Sequence, residues 1–316
     1  MKKYFIAMDG GTTNTRIALI QNGDILDILS IPVGAGANAK APGTLQSAVK
    51  DGIALLLRNH GLAEADVERI LASGMVTSEL GLYTLAHLSA PVGIEDLCKG
   101  LCEVSLPQLS SIPFVFVPGV KTEGETLAEA DMMRGEETEL VGLCDGKIPS
   151  RAAFVLPGSH SKIIVTDECS RIASIKTMLT GEMLAVLSEQ TVLRGSFSLR
   201  DAVLDLPRLE EGYVYADENG LGDALFKVRV LKTRFAYSAD MLYSFFLGAI
   251  LRDEIRLILR TDAKTVYVGG KVQLRTAITH LLSKYSDAKI IAVEEERVKA
   301  STANGLLILY KNREAD

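Results

Sequence analysis

The chain has 316 residues, 47% of them hydrophobic and 23% charged, with a formal net charge of −6. That is ordinary for a globular protein of about two domains, and without a run of five or more Lys and Arg it offers nucleic acid no electrostatic footprint. No apolar stretch reaches the ~18 residues that a membrane-spanning helix needs, and the signal-like start MKKYFIAMDGG breaks at Asp9 after too short an apolar run.

Apolar runs at 4–8, 17–20 and 25–31, split by Gly10-Gly11 and Asn22-Gly23, predict a three-stranded meander, with Asn-Gly as its hairpin signal. Leu45, Val49, Ile53, Leu56 and Leu57 predict a helix over 43–59. VERILASGM and FVFVPG (114–119) read as strands, and MRGEETELVGL reads as a helix. The meander then recurs in RAAFVLPGSHSKIIVTDECSRIASIKTML, broken at Pro157-Gly158 and Asp167-Glu168. Helices follow over about 180–190, 199–210, 223–232 and 239–260. Strand 264–270, helix 271–284, strand 288–293 and a last helix over 294–311 complete the chain.

The fold class is therefore α/β: two halves, each a mixed sheet flanked by helices, about a central cleft. The expected domains are 1–130 and 131–316, with the last helix packing back on the first. Cys98, Cys102, Cys144 and Cys169 form neither a metal pattern nor a disulfide framework. They read as reduced thiols of a cytoplasmic protein.

Each meander opens with a turn of glycine and hydroxyl residues, suited to aiming N–H groups at phosphate oxygens. In DGGTTNTR (Asp9–Arg16), Gly10 and Gly11 allow close backbone approach, and Thr12 and Thr13 add donors. Asp9 at the strand end suits Mg²⁺, which is commonly held by one or two carboxylates. A plain hairpin turn is the alternative. No G-x-x-x-x-G-K-[ST] occurs, which excludes a P-loop. In LPGSHSKII, Gly158, Ser159 and Ser161 offer an opposing turn, with Lys162 as a point charge and His160 as a donor. In VYVGGKVQL, Gly269-Gly270 ends a strand before a helix, where an adenine ring can lie against bare backbone.

The order of Asp-x-Gly-Thr-Thr-x-x-Arg hairpin, acidic helix, second glycine hairpin and late Gly-Gly resembles the sugar-kinase/actin-like ATPase superfold. MRGEETELVG, PGSHSK and TGEM resemble blocks of the 2-dehydro-3-deoxygalactonokinase family, as do SGMVTSELG (73–81), GLGDALFKVR (220–229) and FFLGAI (245–250). One departure is Gly10, where that family carries an aromatic residue. The resemblance implies two ribonuclease H-like domains, ATP and Mg²⁺ as cofactors, and a small-molecule substrate, a 2-keto-3-deoxy sugar acid. It implies phosphorylation of the terminal hydroxyl of 2-dehydro-3-deoxy-D-galactonate to the 6-phosphate, in galactonate catabolism. No nucleic-acid or membrane partner is expected, and oligomeric state is left open, a homodimer included.

In related sugar kinases a Gly-Asp at the head of this helix supplies the catalytic carboxylate. Gly135-Glu136 occupies that place, so Glu136 is the expected general base, with Glu137 the alternative and Glu139 on a solvated face. Arg16, Arg134 and the loop with Gly74, Met75 and Ser78 are candidates for the substrate's carboxylate and ketone. Either arginine could instead meet the γ-phosphate or form an ordinary salt bridge. Thr180 in LTGEM reads as a helix N-cap. Rival readings are another sugar or amino-sugar kinase of the superfold, and a non-kinase actin-like ATPase or sensor, which ADP release with and without an acceptor separates.

Overall fold

The computed structural model describes residues 4–315. Met1–Lys3, which open the signal-like stretch, and Asp316, which ends the expected second domain, lie outside the described residues. The chain opens with the expected meander: β1 (Tyr4–Gly10), β2 (Thr15–Gln21) and β3 (Asp24–Ile31). Asn22 and Gly23 turn between β2 and β3 at φ 55° and 100°, the left-handed pair that a tight hairpin demands. After α1 (Gly36–Lys40), the helix α2 (Thr44–Asn59) buries Leu45, Val49, Ile53, Leu56 and Leu57 against Ile6, Met8, Ile17 and Leu19 of the sheet.

There follow β4 (Val67–Gly74), β5 (Leu88–Ser89), α3 (Ile94–Lys99), β6 (Cys102–Val104), β7 (Phe114–Phe116), β8 (Val120–Thr122), β9 (Asp131–Met133) and α4 (Glu136–Leu143). Six strands form one sheet in the order β3-β2-β1-β4-β7-β6, with β4 parallel to β1 and β7 parallel to β4. Strands β5, β8 and β9 make a second, small sheet. The sequence reading missed it and α3, because runs of two to six residues are too short to show a period.

The meander repeats as β10 (Ala152–Leu156), β11 (Ser161–Thr166) and β12 (Ile172–Met178). Helices α5 (Thr180–Gln190), α6 (Leu206–Asn219), α7 (Leu221–Arg234) and α8 (Ala239–Leu259) precede β13 (Thr265–Val268), α9 (Val272–Tyr285) and β14 (Lys289–Ala292). Their sheet runs β12-β11-β10-β13-β14, the same order as β3-β2-β1-β4-β7. Long α8 buries Phe245, Phe246, Leu247, Leu251 and Ile255 in the core beneath it.

The helix expected over 199–210 instead begins at Leu206. Asp205 caps it by accepting the Arg208 N–H at 3.1 Å, and Pro207 sits in its first turn, where a missing N–H is harmless.

The chain forms two compact units, divided elsewhere than the expected 1–130 and 131–316. The first runs to Ser150 and adds Thr166–Ile175 and the chain from Glu296, most of α10 (Glu295–Ala315). The second is Arg151–Val165 with Lys176–Glu295. Close packing explains why α4 keeps company with the first unit. A Cβ at Gly142 would stand 1.7 Å from the Ser301 carbonyl oxygen, and one at Gly305 would stand 2.0 Å from that of Thr138. Only bare backbone lets α4 and α10 come so near. Among the described residues no helix is long and apolar enough to cross a membrane, and the four cysteines form no disulfide.

Candidate active site

In the first unit the β1–β2 tip is fastened by backbone. The Gly11 N–H donates to Asn14 O at 2.8 Å, while the Gly11 and Thr12 carbonyls accept from the Ala35 and Gly36 N–H groups at 3.0 and 2.9 Å. Gly34 must lack a side chain, since a Cβ there would lie 2.5 Å from the Gly11 oxygen. With the Gly11 and Thr12 carbonyls taken, the exposed Thr12 and Thr13 keep amides that donate to no acceptor among the described residues. Asp9 and Arg16 face one another across the register and pair at 2.6 Å. The guanidinium is exposed, so this pair orients more than it stabilises.

Gly135 explains why a glycine stands beside two carboxylates. Its φ is +114°, and a Cβ would be 3.1 Å from the Gly74 Cα. Gly74 itself, at φ +84°, abuts the Gly10 carbonyl. The head of α4 thus rests on the ends of β1 and β4. Gly10, where the resembling family carries an aromatic residue, has no room for one beside Val76 here: a Cβ would lie 2.3 Å from Val76 Cγ1.

The adjacent carboxylates differ in setting. Glu137 is fully buried and folded back on its own helix, both oxygens accepting the Gly135 N–H at 2.8 and 2.9 Å and one the Thr138 hydroxyl at 3.2 Å. Burial, then the Glu136 charge, pushes its carboxyl up to about 7. Glu136 is half-buried and accepts the Arg134 N–H at 3.0 Å. Glu139 is not on a solvated face. It is half-buried, and burial followed by the charges of Asp9 and Glu136 raises it to about 8. Among the described residues no cluster of three or more His, Cys, Asp or Glu is arranged to hold a metal alone. Asp9, the penultimate residue of β1, is a carboxylate beside the tip.

Arg134 is committed to the loop after β4. One terminal nitrogen donates to Thr77 O and Oγ1 (2.9 and 2.5 Å), the other to Leu85 O (2.9 Å) and the His87 ring (3.2 Å). Four of its five N–H groups are spent, which makes it a strut for this loop, a role outside the substrate, γ-phosphate and salt-bridge alternatives expected of it. Within the loop, the Ser78 hydroxyl bonds Met75 O at 2.7 Å. His87 has its imidazole pKa lowered by burial, then by Arg134 and Lys121.

In the second unit the turn at Gly158, Ser159 and His160 is exposed. A Cβ at Gly181 would lie 2.3 Å from Gly158 O, so the first turn of α5 lies directly on it. The Glu182 N–H reaches Ser159 O at 3.2 Å, and its carboxylate meets the His160 ring at 2.8 Å.

Ser161 and Lys162 sit differently from expectation. Ser161 is fully buried and donates to Glu254 at 2.5 Å, while Lys162, 6% exposed, donates to Thr177 Oγ1 at 2.7 Å. Thr180 does not cap α5. Its hydroxyl donates to the other Glu254 oxygen at 2.6 Å. Gly269, whose N–H donates to Val155 O, and Gly270, whose carbonyl accepts from Arg275 at 2.7 Å, end β13 ahead of α9.

His87 and Glu254 escaped the sequence reading, and Glu139 was expected on a solvated face. Only Glu254 left a trace. It falls in step with Leu247, Ile250, Leu251 and Ile258 on the buried stripe of α8, an odd place for a carboxylate.

The chain is 23% identical over 280 residues to a Rhizobium meliloti (strain 1021) protein named probable 2-dehydro-3-deoxygalactonokinase, covering 85% of this chain and 79% of that one. A crystal structure of a Sinorhizobium meliloti protein named for the same activity superposes with a TM-score of 0.77 at 19% identity, covering 98% and 96% of the two chains. The Clostridium difficile activator of 2-hydroxyisocaproyl-CoA dehydratase, with bound ADPNP, superposes with a TM-score of 0.52 at 13% identity over 99% and 96%. These likenesses show the two-domain actin-like ATPase fold. The family profile of 2-keto-3-deoxy-galactonokinase matches residues 9–308, and the chain belongs to that family.

Proposed function

We propose that this protein transfers the γ-phosphoryl group of ATP to the terminal hydroxyl of 2-dehydro-3-deoxy-D-galactonate, yielding ADP and the 6-phosphate, in galactonate catabolism. Family membership supports the reaction class. The observation that carries the assignment of roles is the seating of the head of α4 on the ends of β1 and β4, with Glu137 turned inward and Glu136 left accessible.

Glu136 then takes the proton of the acceptor hydroxyl as its oxygen bonds to the γ-phosphorus, and ADP departs with the bridging oxygen. Phosphoryl transfer asks a protein chiefly for alignment and charge neutralisation. The amides of Thr12 and Thr13 and the turn at 158–160 are assigned to ATP phosphates, and Gly269-Gly270 to the adenine. Arg16 and the 74–78 loop are assigned to the acid end of the sugar, with Arg134 bracing that loop.

Mg²⁺ fits Asp9, at the end of β1 beside the tip, because the repulsion that Asp9 and Glu136 exert on Glu139 is what a hard divalent cation relieves. When bound, it would neutralise charge on the ATP phosphates.

A coupled assay of ADP release with Mg-ATP and a panel of 2-keto-3-deoxy acids, aldoses and amino sugars tests the proposal. One keto-deoxy acid should accelerate release by orders of magnitude. Strong turnover with an aldose or amino sugar instead, or slow release indifferent to every acceptor, would overturn it.

A further inference from the structure

A buried acid lies at the root of the second-unit turn, outside every role assigned so far. Glu254 projects from the apolar stripe of α8 and is wholly inaccessible. Its two oxygens accept from two hydroxyls, Ser161 Oγ at 2.5 Å and Thr180 Oγ1 at 2.6 Å. Among the described residues it meets no lysine, arginine or histidine, and burial holds its carboxyl above the usual range. A buried acid supported only by neutral groups is costly. An apolar side chain would fill the same space more cheaply, so its value lies in what it holds in place.

The two hydroxyls belong to strategic residues. Ser161 is the first residue of β11, directly after the exposed tip at Gly158–His160. Thr180 is the first residue of α5, directly before Gly181, whose backbone lies on Gly158 and Ser159. We propose that Glu254 is a positioning residue for nucleotide phosphates, clamping the turn at 158–160 and the first turn of α5 into one rigid cradle through Ser161 and Thr180. The inference rests on the reading of that turn as a phosphate site. The carboxylate never touches the nucleotide. It sets where the amides of the turn point, and donors displaced by even ~1 Å lose much of their effect.

The test uses the full chain, a fluorescent ADP analogue and steady-state kinetics. E254M, which keeps the volume and removes both acceptors, should weaken ADP-analogue binding and raise the KM for ATP by about tenfold or more. The KM for the sugar acid should stay within about twofold. E254Q, which can still accept one hydroxyl, should recover most of the loss. Should E254M fail to fold, Ser161→Ala and Thr180→Val each remove one hydroxyl. Each should raise the KM for ATP, and their combined effect should fall short of the product of the two.

An E254M with wild-type far-UV circular dichroism and melting that binds the analogue as tightly as wild type overturns the proposal. Single-hydroxyl variants with unchanged KM for ATP do the same. A wild-type chain that binds neither the ADP analogue nor ATP would bring down the phosphate-site reading itself, a result distinct from the other two.

Discussion

The two glycine turns head the same meander in sheets of the same strand order, yet they are fastened by different means. The tip at Gly11–Thr13 is held by main chain, through the amides of Ala35 and Gly36 and the absence of a side chain at Gly34. The turn at Gly158–His160 has one main-chain bond from Glu182 and adds side chains, through Ser161, Thr180 and a carboxylate 93 residues from Ser161. A repeated topology fixes where a turn lies but not what steadies it. The first tip tolerates changes in distant side chains. The second is open to single substitutions deep in a helix.

The largest expected effect concerns the group that only the first unit carries. Glu136→Gln should lower kcat by about 10²–10⁴-fold with little change in the KM for ATP, measured with both substrates near saturation. Glu137→Gln should retain most of its turnover, because that carboxylate caps its own helix. The opposite ranking would hand the base role to Glu137.

A smaller effect compares the two fastenings under the same insult. Gly34→Ala and Gly181→Ala each press a Cβ to 2.5 and 2.3 Å from a tip carbonyl oxygen. Each should raise the KM for ATP by about tenfold. In double mutants, Gly34→Ala should add to E254M in free energy, whereas Gly181→Ala should not, since it strains the turn that E254M has already released. Additivity in both cases would erase the distinction between the tips.

The smallest effect is on stability. Between pH 4.5 and about 7, folded Glu137 holds a proton that the unfolded chain has released, so stability falls as pH rises through that window. Thermal melts from pH 5 to 8 should show the advantage of wild type over Glu137→Gln shrinking with pH. A constant gap between the two melting curves would contradict the buried, proton-holding state of this residue.

Legibility in the sequence follows the same divide. The first hairpin, the Asn22-Gly23 turn and the stripe of α2 could be read because each is encoded within a few neighbouring residues. The late start of α6 was also locally encoded, in Asp205 and Pro207, but periodicity alone passed over the cap. Arg134 reads as a substrate candidate since nothing near it in sequence discloses Thr77, Leu85 and His87 as its acceptors. Glu139 reads as solvated beside Glu136 and Thr138, and only the fold brings Asp9 within its field. Ser161 and Lys162 sit in a motif that suggests phosphate, yet strand alternation and burial turn their side chains to Glu254 and Thr177.

The glycine crossing of α4 and α10 bears on the order of synthesis. The acid-bearing helix leaves the ribosome long before the segment that seats it, and a nascent chain ending ahead of residue 295 lacks the surface against which Gly142 docks. The α4 face around Gly142 is therefore completed only once α10 docks on it, so the seat of the acid-bearing helix is among the last parts of the first unit to close.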